Sequence, residues 1–490
     1  MQLSRIKILD DGELEQIHQT SLRILEEIGI KIMSESARDL LQKLGAEKKD
    51  NNYLKIPREI INKYLSKVPS SFSIYGVDKS YKVEINTEDT IFGTQGAPTH
   101  ITDEENPRKI RNIYLNDTIN HLKIVSQLQN LSISHLDAWP TELSNEIFPH
   151  IIIREWARYS KKPFGVPGYG KDLTQKMLET TELVVGGRKE LQKYPRLLAF
   201  FNSISPLVLD KRNIEGLINH CNYSQPIIIS TAAAAGLSAP VTMAGLISQV
   251  NAEMLASITL TQIINPGNPI LYGCVNSPMD PITGNISWGA VETSLITIAM
   301  AQLAKFYKIP SRALGGGTDA KTLDMQNGIE RFMNLYSAAM AGINYITIAG
   351  TYETGLSYCP ELLIIDDELV GMVKRAITGI QVNENTLAFD QLKKLVNRKN
   401  GNFMNLRHTS KNMRTELYIS DLMVKETRKR WEKGGEEDLV NRARRKAQEI
   451  LHQDFQSHLD PKIEQLLQNQ IDYINLGNRD NLKHKGGKVT

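Results

Sequence analysis

Cysteine is scarce in this chain: Cys221, Cys274 and Cys359 are the only three in 490 residues, and no two of them form a C-x-x-C pair. A disulfide framework of the secreted kind is thereby excluded, and reduced thiols in the cytoplasm are the expectation. No run of about 18 apolar residues occurs, so no segment is expected to span a membrane. The opening stretch MQLSRIKILDDGELEQ has neither an apolar core nor a small-residue cleavage site, and no signal peptide is read there. Charge of one sign is not in excess: 58 Lys and Arg against 55 Asp and Glu leave a net charge of +3. That balance gives no argument for a nucleic-acid partner. A G-x-S-x-G elbow is missing. Cys274 and Cys359 could supply thiolates, but His100, His135 and His150 are scattered, and no spacing supplies the three or four ligands of a zinc site. No metal is expected.

What is present is ordinary globular composition, with 41% hydrophobic and 23% charged residues. Leu14, Ile17, Ser21, Ile24, Leu25 and Ile28 repeat at helical spacing and predict a helix over 14–28, stopped by Gly29. Further helices are read at about 35–44 and 57–66, and Ser71–Val83 alternates like a short strand. Residues 1–88 are therefore taken as an N-terminal helical cap region. A different rhythm follows. Strand-like runs at 91–95, 132–138, 163–169, 197–202, 226–231, 268–274, 311–315 and 344–350 alternate with helical stretches. Alternation of this kind predicts a parallel sheet with crossover helices, and eight repeats suggest closure into a (β/α)8 barrel of the TIM type over 89–380. An open doubly wound sheet is the structural rival. Residues 361–380 read as a helix. So do 438–453, with Leu439, Ala443, Ala447 and Ile450 inward and a basic run outward. Residues 381–490 form the expected C-terminal helical extension, with a tail frayed from about 477.

In a barrel, the C-terminal strand ends and the loops after them carry the site. That rule selects Phe92 and Gln95, Asp137 and Trp139, Tyr169, Phe201 and Asn202, Thr231, Tyr272 and Asn276, Arg312, and Thr347, Tyr352 and Glu353. Trp288 opens the helix after the sixth strand. The set is rich in aromatics for a chain with 7% Phe, Trp and Tyr. A pocket of ring faces suits a cation that cannot donate hydrogen bonds, such as a quaternary ammonium; core packing is the competing role for each ring. Arg312 is read either as a fork for a substrate carboxylate or as the partner of a barrel acid such as Asp137. Glu353 is a candidate acid or base, or one half of an ion pair. Gly315, Gly316 and Gly317 lack the spacing of a phosphate loop. They read as a tight turn or close backbone approach, or as a flat face for a planar cofactor.

Beyond these local signals, GGGTDAKTLDMQNGIE and SAAMAGINYITIAGTYETGLSYCPELLIIDDELVGMVKR resemble the trimethylamine methyltransferase family. The segments SLRILEEIGIKI, IPREIINKYLSKVPSSFSIYG, IFGTQGAP, HTSKNMRTELYISDL and RWEKGGEEDLVNRARRKAQEIL extend the resemblance over nearly the whole chain. It implies transfer of a methyl group from an amine to cob(I)alamin on a separate small corrinoid protein, with no cofactor tightly bound by this chain. Archaeal trimethylamine members carry pyrrolysine, whereas this chain has only standard residues. It is therefore similar to the non-pyrrolysine branch, which implies a quaternary amine such as glycine betaine, carnitine or proline betaine. Within that reading Arg312, Thr347, Tyr352, Trp139, Tyr169, Phe201 and Gln95 are expected to bind substrate. Gly315–Gly317 would leave room for the corrin face. The resemblance also suggests a homo-oligomer. Its rivals are another barrel lyase or hydrolase and a non-catalytic betaine-binding barrel.

Overall fold

In the computed structural model, which describes residues 5–396 and 401–485, all eight strand-like runs are parallel strands of one sheet. They are β1 Ile91–Gly93, β2 Ser134–His135, β3 Phe164–Pro167, β4 Leu197–Asn202, β5 Ile227–Ser230, β6 Ile270–Cys274, β7 Ser311–Leu314 and β8 Tyr345–Thr347. The hydrogen-bonded order runs β1-β8-β7-β6-β5-β4-β3-β2. The two ends then meet: Gly93 bridges Ile133 in parallel, with Thr94 N donating to the Ile133 carbonyl at 2.9 Å. A Cβ on Gly93 would lie 2.7 Å from that carbonyl and 2.8 Å from the Tyr345 hydroxyl. The seam closes because glycine stands there. The sheet is thus a barrel and not the open rival.

A helix follows each strand: α1 Leu115–Gln127, α2 Phe148–Tyr159, α3 Lys171–Val185, α4 Lys211–Asn222, α5 Met243–Ile264, α6 Val291–Phe306, α7 Met325–Ala341 and α8 Pro360–Ile377. Strand side chains alternate between the helix layer and the barrel interior. Ile227 and Ile229 join the outer core with α5, whereas Ile228, Leu198 and Leu271 point inward. Among the described residues no helix is long and apolar enough to cross a membrane.

The first 88 residues contain strands as well as helices. Helices Asp11–Arg23, Glu35–Gln42 and Arg58–Leu65 surround a small sheet that includes Ile30–Ile32 and Tyr53–Lys55. The helix read over 14–28 ends in a π turn, Ile24–Ile28, and Gly29 closes it at φ +87°. The alternation read as one strand at 71–83 is a hairpin, Ser71–Tyr75 paired with Lys82–Asn86. Its inward residues Phe72, Ile74, Val83 and Ile85 pack on Ile133, Leu198, Ile228, Leu271 and Tyr345. The hairpin plugs the N-terminal end of the barrel. At the other end of the chain, Leu439–Leu451 lays Ala443, Ala447 and Ile450 into the core beside α8. Helix Pro461–Lys485 continues past residue 477, where fraying was expected; residues 486–490 lie outside the described residues.

Candidate active site in the barrel mouth

With one end plugged, the free interior lies toward the C-terminal strand ends. A cavity of about 450 Å³ occupies it. Strand parity decides which side chains reach it. On β4, Phe200 and Asn202 line the cavity, while Phe201 turns into the helix-side core. Phe201 is therefore not a wall of the site, and its neighbour Phe200 holds that place. Gln95, Trp139, Tyr169 and Arg312, proposed from sequence, do line it together. Sequence reasoning gave Trp288 only as a helix opener, and it also reaches the wall.

Arg312 is buried, at 2% exposure. One guanidinium nitrogen donates to the Thr347 hydroxyl and another to the Cys274 carbonyl at 3.3 Å, while Nε has no partner. The ring of Phe200 lies 5.3 Å from the guanidinium carbon. Burial pulls its pKa down to about 10, against the pull of Tyr345, Cys274 and Asp137. No carboxylate among the described residues forms an ion pair with it. The alternative partner, Asp137, is engaged elsewhere: Oδ2 is 2.9 Å from His121 Nε2, and Oδ1 is 3.4 Å from His135 Nδ1. Burial opposes ionisation of Asp137, but the two imidazoles hold its carboxyl below the ordinary range. Thr347 is buried beneath the wall, where it orients Arg312.

Other polar groups around the cavity also lack partners. Both ends of the Gln95 amide, His135 Nε2 and Asn202 Oδ1 are buried without a hydrogen bond. Buried polar groups are normally paired, so an unpaired set converging on one cavity marks a place for a polar ligand. The His135 ring lies against Gly165 of β3, where a Cβ would stand 1.9 Å from its Cδ2. That glycine makes the room the imidazole occupies.

The aromatic walls are fixed by their neighbours. Trp139 stacks on Phe148 at 4.7 Å, and Tyr169 carries Arg212 over its ring at 5.1 Å. Trp288 is held through Asp319, which accepts hydrogen bonds from Trp288 N at 2.8 Å, Gly289 N at 3.0 Å, the Ser287 hydroxyl and Thr354 Oγ1. Asp319 thus ties together the loops after β6, β7 and β8. It lies in the polar run just after the glycines.

Three expectations are corrected here. Gly315–Gly317 are buried and present no open face. A Cβ on Gly315 would meet Ile346 at 2.4 Å, one on Gly316 would meet Arg331 at 2.5 Å and Ile348 at 2.6 Å, and one on Gly317 would meet Trp288 at 3.2 Å. The glycines let the loop pack against α7 and Trp288. Tyr352 is in the core, its hydroxyl 2.9 Å from Thr102 Oγ1, and Thr351 beside it lines the cavity. Glu353 is outside the cavity wall; it accepts from Ser357 at 2.8 Å and sits 4.0 Å from Lys321. The three cysteines are buried, and burial pushes each thiol pKa up. Among the described residues no cluster of three or more His, Cys, Asp and Glu could hold a metal.

Comparison with known proteins agrees with this architecture. The chain is 31% identical over 468 residues to a glycine betaine methyltransferase of Desulfitobacterium hafniense, covering 95% of this chain and 96% of the relative. It is 27% identical over 482 residues to the trimethylamine methyltransferase MttB1 of Methanosarcina acetivorans, covering 95% of each. The fold is similar to the monomethylamine methyltransferase MtmB of Methanosarcina barkeri, with a TM-score of 0.53, 12% identity, and coverage of 91% of this chain and 89% of that one. The family model for trimethylamine methyltransferase (MTTB) matches residues 1–476, and the chain belongs to that family.

Proposed function

We propose that this protein is a corrinoid-dependent methyltransferase that moves one methyl group from a carboxylate-bearing quaternary amine, such as glycine betaine, to cob(I)alamin on a separate corrinoid protein. The observation that carries the substrate class is Arg312: a buried guanidinium on the wall of an aromatic-lined cavity that forms no ion pair with a carboxylate among the described residues. A substrate carboxylate supplies that anion in a charge-assisted hydrogen bond. The positive end of the same molecule then lies among Trp139, Tyr169, Phe200 and Trp288, whose ring faces attract it by roughly 0.5–2 kcal/mol each. The relative named for glycine betaine is consistent with this choice.

The chemistry asks little of acid or base. The N–CH3 bond breaks, its electron pair stays on nitrogen, and a neutral tertiary amine leaves. The acceptor, treated as a second substrate, supplies the electrons for the new bond to carbon. What the protein contributes is orientation and exclusion of water. Arg312 fixes one end of the amine, and the rings fix the other. Because the positive charge disperses as the methyl departs, rings that held the ground state too tightly would slow the step. The acceptor reaches the substrate through the C-terminal end of the barrel, since the hairpin 71–86 fills the opposite end. Gly315–Gly317 do not form its landing surface, because protein atoms already cover them.

The test is a panel of glycine betaine, carnitine, choline and tetramethylammonium, each mixed with protein and reduced cobalamin. The expected result is conversion of the cob(I)alamin spectrum to that of methylcobalamin with a carboxylated amine. Silence across the panel would remove the methyltransferase reading. Equal rates with choline and tetramethylammonium would remove the carboxylate from it.

A further inference from the structure

Beside the cavity lies a buried cluster that methyl transfer itself does not use. The Asp137 carboxylate stands between two imidazoles, with Oδ2 2.9 Å from His121 Nε2 and Oδ1 3.4 Å from His135 Nδ1. His121 belongs to α1 and is not part of the cavity wall, whereas His135 is. The His135 side chain is fixed from three directions. Its backbone N donates to Thr94 Oγ1 at 2.9 Å. Asp137 is tied back to it by a hydrogen bond from Asp137 N to the His135 carbonyl, also 2.9 Å. Gly165 receives the Cδ2 edge of the ring. With Nδ1 turned to Asp137 and Cδ2 against β3, the Nε2 edge is the one left for the cavity, and Nε2 has no partner among the described residues.

What Nε2 offers depends on where the ring proton sits. In a neutral imidazole one nitrogen donates and the other accepts, and the partner of the first sets the role of the second. A carboxylate facing Nδ1 keeps the proton there, so Nε2 presents a lone pair. A doubly protonated ring would donate instead, but the charges oppose it. Asp137 and Arg312 already balance each other in buried surroundings. A carboxylated quaternary amine is neutral as a whole, so an imidazolium would add one uncompensated buried charge. The other ring fits the same state: His121 Nδ1 is also without a partner, as a neutral ring with its proton on Nε2 requires.

We propose that His135 is a specificity-determining residue of this site: Asp137, as a positioning residue, aims the Nε2 lone pair at the substrate, and the ring selects a quaternary amine that carries a hydroxyl. This role rests on the amine methyltransferase reading and adds a third point of recognition to Arg312 and the aromatic rings. The unpaired groups around the cavity favour it. The donors among them, Arg312 Nε and the Gln95 amide nitrogen, suit a carboxylate. The acceptors are His135 Nε2, Asn202 Oδ1 and the Gln95 amide oxygen. A betaine without a hydroxyl has no N–H or O–H and leaves all of these acceptors unmet; a hydroxyl answers one of them. A site with a buried group placed for a substrate hydroxyl rejects the analogue that lacks it, because that group then stays unpaired.

The experiment is isothermal titration calorimetry of the full-length protein, without any corrinoid, against carnitine, γ-butyrobetaine and glycine betaine. Carnitine and γ-butyrobetaine differ only by one hydroxyl. The wild type is expected to bind carnitine about 10–100-fold more tightly than γ-butyrobetaine. His135→Asn keeps an amide near Asp137 and removes the acceptor from the cavity. In that variant, with circular dichroism as a check on folding, carnitine and γ-butyrobetaine should bind with nearly equal affinity. Nitrogen NMR of labelled histidine reads the aim of the ring: His135 should carry its proton on Nδ1, and carnitine but not γ-butyrobetaine should shift its Nε2 resonance. Equal wild-type affinities for the two amines, or glycine betaine bound more tightly than carnitine, would overturn this role and leave the methyltransferase reading standing. So would a proton found on Nε2. A preference for carnitine that survives in His135→Asn would assign the hydroxyl to Gln95 or Asn202 and overturn it as well. Binding of none of the three amines would remove the role together with the reading beneath it.

Discussion

A guanidinium buried to 2% exposure that forms no ion pair with a carboxylate among the described residues works against the fold that holds it. Arg312 is therefore a place where binding and stability pull apart. Replacing it with methionine removes the charge and keeps much of the volume. For Arg312→Met the apparent affinity for a carboxylated quaternary amine is expected to fall about 10–100-fold, the loss of one hydrogen bond to a charged group. Saturated turnover should change less, and stability in urea should hold or rise. Steady-state kinetics beside a denaturation curve checks both; lost stability with intact affinity would make Arg312 structural. Arg312 could be nominated from sequence because a charged residue in an apolar strand is conspicuous. Phe201 could not be told from Phe200 by residue type. Only once the structure places Asn202 in the cavity wall does the residue two before it, Phe200, share that face.

At the scale of elements, the eight strands and their helices were legible because a buried parallel strand is a short apolar run with a turn at its end. Alternation at 71–83 was legible too, but not that it belonged to two strands folded on each other as a plug. The loop after β7 misled in another way. Three consecutive glycines fit open access or tight packing equally well, and only the positions of α7, β8 and Trp288 separate the two. Gly316→Ala tests the outcome. Its Cβ would collide with Arg331, whose guanidinium pairs with Asp366 at 2.9 Å, and with Ile348. Stability is expected to drop by about 1–3 kcal/mol, the usual cost of overpacking, measured by urea unfolding. A variant with wild-type stability that cannot use the methyl acceptor would restore the open-face reading.

The whole molecule carries its own pH dependence. Burial pulls the His220 imidazole down from 6.5 to about 4, against a smaller opposing pull from the Pro167 backbone, and neither ring nitrogen makes a hydrogen bond. Between those values the unfolded chain takes up a proton that the folded protein refuses. Stability from this group is therefore full above pH 6.5 and lost as pH falls toward 4, about 3 kcal/mol in all. His18 and His150 are also held low by burial and act in the same direction. His220→Gln should flatten part of the acid limb in urea melts between pH 7.5 and 4.5, whatever it does to the baseline. An unchanged limb would mean that His220 is already solvated in the folded state.

By itself the sequence determined the alternation of strands and helices, the count of eight, the family, and the strand ends where a site would form. These are local properties: period, turn residues and motif identity are written along the chain. Tertiary structure alone decided that β1 meets β2 across Gly93, that Phe200 and not Phe201 faces the cavity, that the glycine loop is filled, and that Asp137 belongs to two histidines and leaves Arg312 unpaired. Each of these depends on which atoms from distant segments arrive at the same place, and a one-dimensional pattern carries no distances.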